Sequence, residues 1–291
     1  MGKIKKKILK LHLFKYFYIF TSIILKPFKS KNKMLFYSTP DLSDNAWALF
    51  HYTINNRNNL KVIWLCDNLN YSKEKIKQLN LNNNKVVLVK KESVFGLLHF
   101  ITSAVAFTTT VFYPFVKKGY GPICINLWHG MPIKKIGSYI GDENIGDYYS
   151  YTISTSTFYS SIMSKSLNIK LENILPIGLP KNDLLILPTT LNKNELFDYF
   201  KIPIKTQLIF WLPTFRKAIQ KNFASDSYST SFLAEWQDLD LEGLNSILKK
   251  ENKSIVIKLH PMDSLNENHE LNSLSNIIFI TNKDWLSSKF D

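Results

Sequence analysis

The sequence predicts an α/β protein built from two successive parallel units, with a basic amphipathic segment in front. Three observations predict it. From Met34 onward, short β-branched and aromatic runs alternate with helix-like stretches, the spacing of parallel β-α-β units with helices on both sheet faces. That rhythm pauses at the turn-rich stretch Ile177 to Asp183 and restarts near residue 200. The first 33 residues carry ten lysines and no acidic residue.

The opening segment, residues 1–33, places Lys3, Lys6, Lys7 and Lys10 before an uncharged run from Tyr16 to Leu25, with four more lysines after it. Ten uncharged residues are too few to span a bilayer, which takes about 20. No small-residue cleavage site follows Leu25, so a secretory leader fits poorly. An interfacial helix fits better, with Phe17 and Tyr18 at the headgroup boundary and lysines facing anionic lipid on the cytoplasmic side. The competing reading is an ordinary first helix packed on the body.

In the first unit, residues 34–199, strands are expected at Met34–Tyr37, Lys61–Cys66, Lys85–Val89, Ala104–Thr108, Ile123–Trp128 and Tyr151–Ser154. Helices are expected at Ser43–Thr53, with Ser43 or Asp44 as cap, and at Ser72–Leu79, Ser93–Ile101, Thr157–Ser166 and Leu191–Phe200. In the second unit, residues 200–291, Gln207–Leu212, Ser254–Leu259 and Ile277–Ile280 read as strands and Leu241–Lys250 as a helix. About 90 residues is short for a domain of this class, usually about 100–150, so this unit reads as incomplete.

Of the 291 residues, 45% are hydrophobic and 14% aromatic, enough for a sizeable core, which excludes a disordered chain. The formal charge of +14 belongs mostly to the first segment. Beyond Lys33 there are 27 basic and 23 acidic residues, a balance of +4, which argues against a nucleic-acid clamp. Cys66 and Cys124 sit in apolar runs outside any C-x-x-C pair and read as buried free thiols. The six histidines lack metal-ligand spacing, so no metal site and no cofactor are expected.

Two histidines stand out by position. His129 and His260 each follow the carboxyl end of an apolar strand, where open parallel sheets bind ligands. Such units commonly face each other over a cleft, which would have an imidazole on each wall. After His129, Gly130 lets a ligand approach the backbone closely, and Lys134 and Lys135 suit a phosphate. Lys258 lies two residues before His260, on the same strand face. Thr214 and Arg216 follow a third strand end and suit phosphate too. The plainer alternatives are a satisfied histidine beside Trp128 and solvated surface charges. His51, His99 and His269 read as structural.

The string from Ile125 to Gly137, with Trp128-His129-Gly130 at its heart, resembles the W-H-G-T-P-x-K-x-x-G signature of the CDP-glycerol glycerophosphotransferase family. Four further strings follow the family's order. Ser43-Asp44-Asn45 is similar to S-D-N, Gly178 to Asp183 to G-x-P-R-N-D, Leu212 to Arg216 to A-P-T-W-R, and Lys258 to Pro261 to K-x-H-P. Met131, Lys181 and Phe215 depart from the pattern, and the family's T-D-Y-S-S segment has no counterpart before Asp291. A truncated or inactive copy is therefore one expectation.

The resemblance implies a GT-B-like chain of two Rossmann-type halves, the first for a membrane-linked acceptor and the second for a CDP-alditol such as CDP-glycerol. His129 would be the general base, and His260, Thr214 and Arg216 would stabilise pyrophosphate charge. The product would be teichoic acid or a related surface polymer, with CMP released at the inner membrane face. A GT-B glycosyltransferase using a nucleotide sugar is the alternative enzyme.

Overall fold

The computed structural model describes residues 16–79, 81, 86–111, 113, 119–141, 145–186, 192–213, 240–258 and 274–280. The chain divides into two compact units, Met1–Leu187 and Pro188–Asp291.

The first unit is a seven-stranded parallel sheet in the order β3-β2-β1-β4-β5-β6-β7. Its strands are β1 (Ser30–Tyr37), β2 (Lys61–Cys66), β3 (Val86–Lys90), β4 (Ser103–Thr108), β5 (Ile123–Asn126), β6 (Tyr151–Ile153) and β7 (Ile174–Leu175). The order reverses between β1 and β4, the topological switch point of a doubly wound sheet.

Successive residues of a strand point to opposite faces, and the burial follows that period of two. Leu35, Tyr37, Ile63 and Leu65 enter one core cluster, while Phe36, Val62, Trp64 and Cys66 enter the other. The first cluster is covered by α1 (residues 16–25), α4 (Val94–Ile101) and α5 (Thr157–Leu167), through Tyr18, Phe100, Met163 and Leu167. The second is covered by α2 (Asp44–Asn56) and α3 (Leu69–Gln78), through Ala46, Phe50 and Ile76. Both cysteines are free and buried, and burial pushes each thiol up to about 12.

Local sequence explains the helix starts. Asn68, Ser93 and Ser156 each accept a hydrogen bond from a first-turn amide (Tyr71, Gly96 and Tyr159). Helix α2 differs. Ser43 makes no side-chain cap bond, and Asp44 sits in the first turn at φ 59 with its carboxylate turned elsewhere.

The second unit contains a three-stranded parallel sheet, β10-β9-β8, from β8 (Gln207–Trp211), β9 (Lys253–Lys258) and β10 (Ile277–Ile280). Val256 packs with Phe197 of α6 (Lys193–Tyr199), and Ile257 packs with Leu248 of α7 (Leu241–Lys250), so this sheet is also covered on both faces.

Three expectations are corrected. The basic segment ends before Ser30 rather than at Lys33, because Ser30–Tyr37 form β1 and Lys33 is buried there, its ammonium donating to Thr102 Oγ1. The boundary lies at 187/188 rather than after residue 199, because Phe197 and Ile202 form one cluster with Val256 and Ile280. Tyr18 is not a lipid-facing aromatic. It is 1% exposed, and its hydroxyl donates to the Tyr120 carbonyl at 2.9 Å. Phe17 is 58% exposed, and with Tyr16, Phe20, Ile23 and Ile24 it forms the outward apolar side of α1. Among the described residues, no helix is long and apolar enough to cross a membrane. Lys3, Lys6, Lys7 and Lys10 lie outside the described residues.

Candidate active site

At the carboxyl edge of the first sheet, three separate segments meet around His129. The first is the end of β5. The strand stops at Asn126 because that residue's Oδ1 accepts the Trp128 amide at 2.9 Å, while the Leu127 amide still reaches the Thr108 carbonyl at 2.8 Å. Trp128 then adopts φ 48, a left-handed conformation rare for a bulky residue. The chain turns sharply there, and His129 emerges with its side chain 48% exposed.

The second segment is the first turn of α2. Asp44 is also left-handed, and its carboxylate leaves the helix to meet His129. His129 Nδ1 lies 2.7 Å from Asp44 Oδ2. Burial pushes the Asp44 carboxyl up, but hydrogen bonds from His129 and Lys181, with the Lys181 charge, outweigh it and hold the group below the usual carboxylate range. An ionised carboxylate only accepts, so Nδ1–H donates and Nε2 of a neutral ring is left as an acceptor.

The third segment follows β7. Gly178, at φ 89, turns the chain into the 3-10 turn Pro180–Leu185. Lys181 Nζ then donates to Asp44 Oδ1 at 2.9 Å and to the His129 carbonyl. Asn45, fully buried, ties the three together. Its Nδ2 donates to the Leu127 carbonyl at 3.0 Å and the Trp128 carbonyl at 2.9 Å, and its Oδ1 accepts the Lys181 amide at 3.2 Å.

The two signature glycines past Trp128 have different reasons. A Cβ at Gly137, φ 56, would meet the Ser166 carbonyl oxygen at 2.0 Å, so that glycine is demanded by the close approach of α5. A Cβ at Gly130 would meet nothing within 4 Å, which leaves open space beside His129. Lys134 and Lys135 are exposed farther along the same segment.

Of the residues singled out in the sequence, the structure gathers His129 and Gly130 in this cluster. Lys258 ends β9 in the second unit, paired in register with Ile280. His260, Thr214, Arg216 and His269 lie outside the described residues. His51 stacks tilted on Trp47 at 5.8 Å, and His99 has a buried, unpartnered Nδ1. Burial pushes both imidazoles down. Asp44, Asn45 and Lys181 were absent from the sequence-based candidates. Their signal lay in the short strings that carry them.

A curated teichoic acid glycerol-phosphate transferase of Staphylococcus aureus (strain NCTC 8325 / PS 47) is 24% identical over 258 residues, 81% of this chain. The chain spans 62% of the length of that relative. A solved structure of the wall teichoic acid polymerase TagF superposes with a TM-score of 0.68 at 19% identity, over 97% of this chain and 68% of that one. A TagF structure soaked with CDPG gives 0.67 at 19% identity, over 96% and 68%. At such identities the likeness establishes the α/β fold, a mostly parallel, GT-B-like one. Residues 18–289 match a family as a whole, and on that match the chain belongs to the CDP-glycerol:poly(glycerophosphate) glycerophosphotransferases.

Proposed function

We propose that the chain transfers glycerol phosphate, or a similar alditol phosphate, from a CDP-activated donor to a membrane-linked acceptor in teichoic acid synthesis, with release of CMP. One observation carries the reading: the S-D-N, W-H-G and G-x-P-K-N-D strings, spread over some 140 residues of sequence, close on one imidazole.

In this reading His129 Nε2 takes the proton of an acceptor hydroxyl. The oxygen attacks the β-phosphorus of the donor and forms a new P–O bond. The bond from that phosphorus to the bridging oxygen breaks, and CMP departs with the electron pair. Asp44 keeps the ring in the tautomer that can accept, and stabilises the imidazolium that forms. Gly130 leaves room for the acceptor, and Lys134 and Lys135 attract its phosphates. His260, Thr214, Arg216 and Lys258 serve the donor pyrophosphate, where electrostatic stabilisation contributes most. The first unit takes the acceptor and the second the donor. The basic residues that precede β1 and the outward face of α1 hold the protein on anionic lipid at the cytoplasmic side, as a peripheral protein.

The test is incubation of membrane-associated protein with CDP-glycerol, CDP-ribitol and a lipid-linked acceptor, reading CMP release and acceptor mass. Acceptor growth by one or more alditol phosphate units with stoichiometric CMP is expected. Sugar transfer from a nucleotide sugar under the same conditions, or no turnover of any CDP-alditol, would overturn the reading.

A further inference from the structure

We propose that Lys181 is a positioning residue for His129: one ammonium fixes both ends of the Asp44–His129 hydrogen bond. Its Nζ holds Asp44 Oδ1 at 2.9 Å while His129 Nδ1 holds Asp44 Oδ2 at 2.7 Å, so both carboxylate oxygens are occupied. The same Nζ donates to the main-chain carbonyl of His129 itself. The contacts close a ring: ammonium, carboxylate, imidazole, and the carbonyl of the residue that carries the imidazole.

The ring matters because neither partner is rigid alone. The terminal torsions of Asp and His are broad and two-fold. A carboxylate tethered through one oxygen swings, and a ring opposite a swinging acceptor loses its tautomer preference. Lys181 is itself held where it must be. Its amide donates to Asn45 Oδ1, and Asn45 Nδ2 holds the two carbonyls just before His129. Backbone and ammonium of one residue are thus both referenced to the turn that presents the base. Two of the three ammonium donors are already committed within the site, which distinguishes Lys181 from a cation kept for a ligand phosphate.

The kinetic consequence rests on the reading of His129 as base, whereas the tautomer of its ring does not. The test therefore begins with the ring. Full-length protein carrying 15N-histidine is examined by NMR at neutral pH, with His129→Gln to assign the signals. The wild type is expected in the Nδ1–H form. Lys181→Met is expected to raise the Nε2–H form several-fold, and Lys181→Arg, which restores a cation able to reach both acceptors, to return it. An unchanged tautomer ratio in Lys181→Met overturns the proposal. Lys181→Leu, which also removes the cation and its donors, gives the same comparison if the Met variant does not fold. With CDP-glycerol, Lys181→Met should lower kcat about 10-fold to 100-fold with KM within about twofold. A raised KM at constant kcat would make Lys181 a ligand contact and overturn the proposal. A wild type inert toward every CDP-alditol defeats the functional reading, while the tautomer comparison still decides this one.

Discussion

The His129 imidazole and the Asp44 carboxylate, 85 positions apart in the chain, meet at 2.7 Å; Asp44 is itself left-handed, and His129 follows the left-handed Trp128. Non-glycine residues at positive φ cost about 1–3 kcal/mol each and persist where surrounding contacts over-determine them. Here the contacts that do so are the Asn126 and Asn45 side-chain hydrogen bonds to the His129 turn.

Asp44→Asn should lower kcat by about 10²–10⁴-fold with folding retained, since the amide can donate to Nδ1 and favour the wrong tautomer. Turnover and circular dichroism of the same samples check this.

The depressed Asp44 carboxyl also makes a pH prediction. The folded value lies below the unfolded one, so the group stabilises the fold fully above about pH 4, the ordinary value. That contribution is lost as pH falls toward and through the folded value. Urea denaturation of wild type and Asp44→Asn between pH 7 and pH 2 should show two curves that converge at the acid end.

Gly137 and Gly130 should separate structure from chemistry. Gly137→Ala sets a Cβ against the Ser166 carbonyl in a left-handed backbone and should destabilise by about 3 kcal/mol or more. Gly130→Ala should fold like wild type, because its Cβ meets nothing, and yet lose turnover if acceptor occupies that space. Thermal melts and CMP release measured in parallel distinguish the two.

Trp64 is fully buried, T-shaped to Phe50 at 5.1 Å and stacked on Phe36 at 6.3 Å, with its Nε1 unpartnered. Trp64→Ala should cost about 3–5 kcal/mol. Trp64→Phe should cost much less, since it keeps a ring in the cluster and removes a buried N–H that has no acceptor. Chemical denaturation of the two variants tests the contrast.

For α1, Phe17→Glu with Phe20→Glu should weaken binding to vesicles containing anionic phospholipid and leave the melting temperature near wild type. Tyr18→Ala should do the reverse, because its ring lies in the core. Vesicle sedimentation and thermal melts together check the assignment.

The parallel α/β class and nearly every strand among the described residues were legible because buried strands such as Lys61–Cys66 and Ile277–Ile280 are short apolar runs bounded by polar residues. The two-residue β7 was not, since Ile174–Leu175 is too short to show a period. Position at a strand end marked His129. Its partners escaped because Asp44 looks like a helix cap until the structure shows its carboxylate diverted, and because Asn45 and Lys181 act through main-chain and cross-segment contacts that no local pattern encodes. Tyr18 was misread for a related reason. Tyr16, Phe17 and Tyr18 are consecutive, and only packing shows which ring turns inward.

The membership of α6 in the second unit has a practical consequence for cloning. A gene fragment opened at codon 200 would discard Phe197, which shares a cluster with Ile202, Val256 and Ile280, and its product should be prone to aggregate through the uncovered sheet face. A fragment opened at codon 188 keeps that helix and is the better starting point for producing the second half by itself.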